Sequence, residues 1–226
     1  MKTQVTALVP MKGHSERVPN KNMRDFGGHP LYHAIMAALD KSKYVGKILI
    51  NTDSEVIAED AVKNWSKVRI NWRPEELRGD FVSMNDVINY DVDNEPGCEV
   101  FLQTHSTNPL LQAETIDAAI EHYFKVVEEG FDSVFGVTKF QSRFYWADGS
   151  AINHNPAELI RTQDLPPIFE ENSNLYIFSR SSFKAAGNKR IGLKPSMFAV
   201  NKLEAIDIDD PEDFQLALTL YNNKNK

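Results

Sequence analysis

Short runs of β-branched and apolar residues alternate along this chain with stretches of helical period, and that alternation restricts the fold more than any other feature. Strand-like runs lie at 5–10, 47–53, 68–73, 100–104 and 133–138. Between them, Pro30 reads as a first helical position before Leu31, Ile35 and Leu39. The stretch 54–65 follows Asp53 and carries Val56, Ile57, Ala61 and Val62 on one stripe. The stretch 114–128 repeats Ile116, Ile120, Tyr123 and Val127 at helical spacing and stops at Gly130. Strands in alternation with helices predict an α/β fold with a mostly parallel sheet and helices on both faces. A length of 226 residues suits a single domain, 1–226, of that kind.

The rhythm changes after Lys139. Residues 140–153 read as a hairpin turning at Asp148-Gly149, and an irregular proline-containing segment, 155–172, follows. Strand patterns return at 175–179 and 196–201, and the pattern closes with a strand at 205–209 and a helix at 211–221. The hairpin concentrates Phe140, Phe144, Tyr145 and Trp146 where a regular sheet offers no second layer. Burial against a second copy would cover them, so 139–172 is expected to be an inserted arm and the protein a homodimer. The competing expectation is a lid folded back over its own domain.

Charge and cysteine content narrow the function classes. A formal net charge of −7 argues against a general nucleic-acid binder, which needs a basic face. The longest apolar runs are strand-sized, so no membrane span is expected, and Met1-Lys2 leads into a strand pattern without a signal-peptide core. Cys98 is the only cysteine, which excludes an internal disulfide and fits a reducing, cytoplasmic setting. The histidines show no zinc-type spacing.

The charge is nevertheless uneven. Lys12, Arg17, Lys21 and Arg24 crowd the turn after the first strand, while Asp207, Asp209, Asp210 and Asp213 crowd the end. An anion site and a cation site are the functional reading, against two solvated charge runs. The loop 11–22 leaves the carboxyl end of a strand, where open α/β sheets bind ligands. It is neither a Walker A loop nor the dinucleotide fingerprint. Gly13 for close backbone approach, Ser15 as a donor and spaced cations suit a triphosphate, although a basic surface loop turning at Gly13 would have the same composition. Asp207 and Asp209, two apart on a strand, would share one face opposite Ile206 and Ile208 and make a platform for Mg²⁺. Asp210, ahead of Pro211, reads as a helix N-cap with Asp213 in the first turn, and Asp53 and Asp80 as capping or loop-tying acids.

Leu8-Val9-Pro10-Met11-Lys12-Gly13-His14-Ser15-Glu16-Arg17-Val18-Pro19-Asn20-Lys21-Asn22 resembles the opening signature of the acylneuraminate cytidylyltransferases. These are the synthetases of CMP-sialic acid and related CMP-nonulosonates, with CMP-Kdo synthetases as more distant relatives. Asn51-Thr52-Asp53, Arg73-Pro74, the stretch from Gln103 to Leu110, and Ile206-Asp207-Ile208-Asp209 continue the resemblance in order. Lys12 stands where the family usually has arginine, His14 where it has glycine, and Met84 where a serine is common.

The resemblance implies a Rossmann-like nucleotidyltransferase fold with a β-hairpin dimerisation arm, acting on CTP and a nonulosonate-type sugar acid. It implies that Lys12, Gly13, Ser15, Arg17, Lys21, Asn22 and Arg73 bind the nucleotide, and that Asp207 and Asp209 hold Mg²⁺. Lys12, Arg17, Lys21 and Asp209 would carry the catalysis. Gln103, Lys139, Arg161, Asn172 and Tyr176 would meet the sugar, Arg161 from the partner subunit. The implied reaction is attack of the sugar's anomeric hydroxyl on the α-phosphorus of CTP. The alternatives are another nucleoside triphosphate or sugar acid on the same fold, and a binding homologue without turnover.

Overall fold

The computed structural model describes residues 4–14, 18–79 and 81–224. In chain order these form β1 (Val5–Pro10), α1 (Tyr32–Lys41), β2 (Val45–Thr52), α2 (Glu55–Asn64), β3 (Val68–Trp72), α3 (Met84–Asp93) and β4 (Val100–Gln103). There follow α4 (Ala113–Glu128), β5 (Ser133–Phe140), β6 (Ile168–Ser179), α5 (Arg180–Ala185), β7 (Pro195–Ala199) and α6 (Pro211–Lys224). One seven-stranded sheet has the order β3-β2-β1-β4-β6-β5-β7. Its pairs are parallel except where β6 meets β4 and β5.

The period-2 alternation of the strands sorts the core onto two faces. Val5, Ala7 and Val9 of β1, Ile48 and Ile50 of β2 and Leu175 and Ile177 of β6 pack with α1, α2 and α4. Leu8, Leu49, Phe101, Tyr176 and Phe178 point the other way, against Ile88 and Val92 of α3 and Phe183 of α5. Helices therefore cover both faces, as the alternation predicted. Strand order reverses between β1 and β4, and the carboxyl ends of those two strands open the crevice in which such sheets hold ligands.

Several expectations need correction. Helix α1 begins at Tyr32 rather than at Pro30, whose carbonyl accepts from the backbone of His33 at 2.9 Å. On α2 the core-facing residues are Ile57, Ala58 and Ala61, while Val56 and Val62 face solvent. On α4 it is Val126, not Val127, that is buried. The segment 205–209 is extended but pairs with no strand; it is tied in by single bonds such as Ile208 N–H to Thr107 O at 3.0 Å. Helices α3 and α5 fell outside the predicted alternation. The hairpin at 140–153 does turn at Asp148-Gly149, with Gly149 at φ 84°, but its arms are joined by the isolated bridge Tyr145–Ala151 and the backbone bonds Trp146 N–H to Ser150 O and Ile152 N–H to Phe144 O rather than by regular strands.

Strand β6 carries the main irregularity of the sheet. Phe135 faces Tyr176 while Val137 faces Glu171, so the intervening residues of β6 loop out, with Ser173 at φ 55°. Bulges of this kind re-aim side chains and commonly lie beside functional sites.

Candidate active site

The loop after β1 is shaped by the strands beside it. The Gly13 N–H donates to Asp53 Oδ1 at 2.7 Å, so Asp53 ties the loop to the end of β2. A Cβ at Gly13 would lie 2.9 Å from Ser54 Cβ, which leaves no room for a side chain. Asn22 is buried; its Nδ2 donates to Lys12 O at 3.1 Å and its Oδ1 accepts from Ser106 Oγ at 2.7 Å. This asparagine thus fixes the path of the loop as well as the edge of the site. Ser15, Arg17 and Asp80 lie outside the described residues.

Lys21 connects the two charged regions of the sequence. Its Nζ donates to Ile208 O at 2.6 Å and lies in electrostatic reach of Asp207. Burial pushes the Asp207 carboxyl above the usual carboxylate range and the charge of Asp209 adds to the push; the Thr107 hydroxyl and Lys21 oppose it. Asp207 Oδ1 is buried without a hydrogen-bond donor. Asp209 is exposed, and its backbone N–H donates to Asp213 Oδ2 at 3.0 Å. A mostly buried carboxylate with an orphaned oxygen beside a second, exposed carboxylate fits a hard divalent cation that keeps water and phosphate oxygens in its remaining positions. Among the described residues no group of three or more acidic, histidine or cysteine side chains could enclose a metal by itself.

Asp210 and Asp213 behave as caps. Asp213 N–H donates to Asp210 Oδ1 at 2.9 Å and Asp210 N–H to Asp213 Oδ2 at 3.1 Å, a reciprocal arrangement at the start of α6.

Arg73 is buried at the exit of β3. Its Nε donates to Asn51 Oδ1 at 2.6 Å and its Nη2 to Asn51 O at 3.2 Å. Asn51 and Asn71 both donate to Asp91 Oδ1, at 2.6 and 2.7 Å. Burial raises the Asp91 carboxyl to about 6.

The residues expected near the sugar separate into two groups. Gln103, Tyr176 and Asn172 come together around β6. Gln103 is fully buried; its Oε1 accepts from Arg190 Nη1 at 2.6 Å, and its Nε2 donates to Thr104 O and faces His105 Nε2, both at 3.1 Å. Since Arg190 can only donate and Thr104 O can only accept, the amide has one possible orientation. His105 Nε2 is then an acceptor and the ring proton sits on Nδ1. Burial, with Arg190 and Lys21 nearby, lowers the His105 pKa to about 4, so the ring is neutral near pH 7. Tyr176 is buried under the Arg190 guanidinium, and its hydroxyl donates to Glu171. Asn172 donates to Thr138 Oγ1 at 3.1 Å. Lys139 is an exposed residue of β5 opposite Phe169 of β6 and next to Thr138, whereas Arg161 lies on the exposed arm, where it forms a bidentate pair with Asp164 at 2.6 and 3.1 Å.

Arg190, Glu171 and Asp91 were missed in the sequence, and Asn51 was read only as part of a motif, without a role. Glu171 stands among polar residues, Arg190 next to Lys189 and Asp91 two residues from Asn89 and Asp93, so nothing in local spacing distinguishes them from solvated positions; the β6 bulge and the packing of α3 reveal them.

Comparison with known proteins agrees with this architecture. The family model described as Cytidylyltransferase matches residues 6–225. The CMP-N,N'-diacetyllegionaminic acid synthase of Legionella pneumophila is 31% identical, the match covering 94% of each chain. The N-acylneuraminate cytidylyltransferase of Oncorhynchus mykiss is 27% identical over 96% of this chain but only 50% of its own length. This chain therefore spans about half of several relatives and nearly all of others. Among solved structures, a CMP:2-keto-3-deoxy-manno-octonic acid synthetase complexed with CTP superposes with a TM-score of 0.69 at 10% identity, covering 98% of this chain and 100% of that one. At such identity the likeness establishes the Rossmann-like fold alone. The family model and the Legionella relative, which span nearly the whole chain, carry the assignment: the chain belongs to the cytidylyltransferase family.

Proposed function

We propose that this protein transfers CMP from CTP to the anomeric hydroxyl of a sialic-acid-like α-keto-acid sugar. The observation that carries the reading is the meeting of Lys21 with the Asp207 segment at the mouth of β1 and β4, joining a phosphate-type loop to a carboxylate pair. The names of the relatives, which make CMP-linked nonulosonates, support the substrate class.

In this reaction the acceptor oxygen forms a bond to the α-phosphorus of CTP, the bond from that phosphorus to the bridging oxygen breaks, and pyrophosphate leaves. Such chemistry rests on positioning and on neutralising charge. Lys12, Lys21 and, outside the described residues, Arg17 and Ser15 would hold the phosphates, while Gly13 lets the backbone approach them. Asn22 and Arg73 would border the nucleoside. Asp207 and Asp209 would hold Mg²⁺, which supplies Lewis-acid polarisation of phosphate oxygens when bound. Neutral His105, with its proton on Nδ1, could not serve as a cation and would bound the crevice between Lys21 and Arg190. The cytoplasm suits a lone-cysteine enzyme that uses CTP.

The same proposal includes a homodimer. Tyr145, Trp146, Leu159 and Phe169 of the arm are exposed, whereas Phe140 and Phe144 pack against each other with ring centroids 5.8 Å apart. The exposed set needs a partner surface. An exposed pair such as Arg161–Asp164 contributes little and can open, leaving Arg161 available to the partner's sugar. Pyrophosphate release measured across four nucleoside triphosphates and a panel of nonulosonic acids tests the reading. Turnover with CTP and an acid of the panel is expected, and equal use of UTP or ATP would overturn it. For the shared site, Asp209→Asn and Arg161→Ala proteins are mixed under subunit exchange. Regained activity is expected; its absence after confirmed exchange would remove Arg161 from the site.

A further inference from the structure

Arg190 follows α5 after the turn at Gly187 and Asn188, both at positive φ. Its backbone N–H donates to Asn85 Oδ1 at 3.3 Å, which anchors it beside the first turn of α3. The guanidinium carbon lies 4.0 Å from the Tyr176 ring centroid, and Nη1 donates to Gln103 Oε1 at 2.6 Å. The ring contact and the hydrogen bond together restrain the group. Nε and Nη2 are then left without an acceptor among the described residues.

Among the described residues no carboxylate forms an ion pair with it. Glu171 is within electrostatic reach but takes the Tyr176 hydroxyl and forms no ion pair with Arg190. A half-buried guanidinium without an anion is a costly arrangement unless a ligand supplies one. A planar fork backed by an aromatic ring matches a carboxylate bidentately, and a lysine would not reproduce that match. Arg190 and Lys21 both lie in electrostatic reach of His105, but Arg190 bonds Gln103 whereas Lys21 bonds Ile208 O, so the two cations have different anchors.

We infer that Arg190 binds the carboxylate of the acceptor sugar acid, and that Gln103 is a positioning residue which holds the guanidinium rather than touching the sugar. The inference rests on the proposed sugar-acid reaction and adds a contact supplied from within one chain.

The test uses the full chain with Arg190→Met, Arg190→Lys and Gln103→Leu, and the best acid of the nonulosonic panel together with its carboxamide. At saturating CTP, Arg190→Met is expected to raise KM for the acid roughly tenfold to a hundredfold, the scale of a lost charge-assisted bond. KM for CTP should stay within about twofold, and use of the carboxamide should be the same in both proteins. Arg190→Lys should fall between, and it decides the matter if Arg190→Met does not fold. Gln103→Leu should raise KM for the acid less, and should add nothing in the Arg190→Met background. An acid KM unmoved by either Arg190 substitution, an effect on CTP instead, or equal losses for acid and carboxamide would overturn the inference while leaving the transferase reading intact. A wild type inactive with every acid would overturn both.

Discussion

Arg73 and Arg190 stand at different parts of the site, and their surroundings differ in kind. Burial weakens the hold of both guanidinium groups on their protons. Arg73 answers this inside the protein: two donors go to Asn51, and the charges of Asp53 and Asp91 lie in reach. Arg190 has a ring beneath it, one amide oxygen at its edge and the charge of Glu171 in reach, without an ion pair. The difference teaches how to read a buried cation. One held by two hydrogen bonds with two scaffold carboxylates in reach is part of the scaffold, and Arg73 would influence a nucleoside mainly through the shape of the β2 and β3 ends. One that keeps two donor nitrogens unmet and has no ion pair is suited to a ligand.

The largest effect is expected from a residue that belongs to neither arginine. Asp209→Asn should lower kcat by about 10²–10³-fold, the scale for losing one electrostatic stabiliser of a transition state. KM for CTP and for the acid should move little, which makes this variant the reference for the two arginines. Near-wild-type turnover at ordinary Mg²⁺ would remove Asp209 from the metal site. Next come the arginines themselves, compared by urea unfolding. Arg73→Met leaves Asn51 and Asp91 without their cation in a buried setting, and should cost about 3 kcal/mol of stability. Arg190→Met breaks no ion pair and should cost about 1 kcal/mol. Equal losses would erase the distinction between scaffold and ligand cation.

A pH measurement sharpens the same contrast. Asp91 meets Asn51 from β2, Asn71 from β3, the field of Arg73 and, on its own side, Glu95. In the folded chain its proton is held up to about pH 6, above the ordinary carboxylate range, so the folded state binds the extra proton between those values. Its contribution is therefore fullest below about pH 4 and is lost as pH rises through about 6, by about 3 kcal/mol in all. Asp91→Asn should remove that slope, so the variant's stability relative to wild type should improve from pH 4 to pH 7. His105, held down to about 4, has the opposite slope and is present in both proteins, so it cancels in the difference. A stability difference that does not change with pH would show that Asp91 titrates normally.

Much of this was legible in the sequence because it depends on local rules. The strand runs at 5–10 and 68–73 and the helix stripe around Ile116, Ile120 and Tyr123 were read from period and composition, and Asp53, read as a capping or loop-tying acid, ties the loop at Gly13 while Ser54 takes the cap of α2. The failures have physical causes. Segment 205–209 shows the alternation of a strand, but single bonds to Thr107 and Lys21 satisfy it without a ladder. The apolar stripes of α2 and α4 were read one residue wide of the true face, because two adjacent valine or isoleucine positions fit a helical stripe equally well. Arg190 was invisible because its meaning depends on Tyr176 and Gln103, 14 and 87 residues away in the chain.

The smallest effect belongs to Asp210, which neighbours Asp209 in sequence but has a different task. Its carboxylate accepts from the Asp213 N–H at 2.9 Å, closing the first turn of α6, and Pro211 occupies the next position where no amide hydrogen is needed. Asparagine keeps an oxygen at the same place, so Asp210→Asn should change stability by only about 0.5 kcal/mol and activity by less than about twofold. Alanine removes the acceptor, and Asp210→Ala should cost about 1 kcal/mol. It should do so without the kcat loss expected at Asp209, because Asp213 still holds the Asp209 backbone N–H at 3.0 Å. Urea unfolding and pyrophosphate release on both variants check this. A loss of turnover in Asp210→Asn as deep as that in Asp209→Asn would mean that the carboxylates act as a trio, and that charge at Asp210 matters beyond capping.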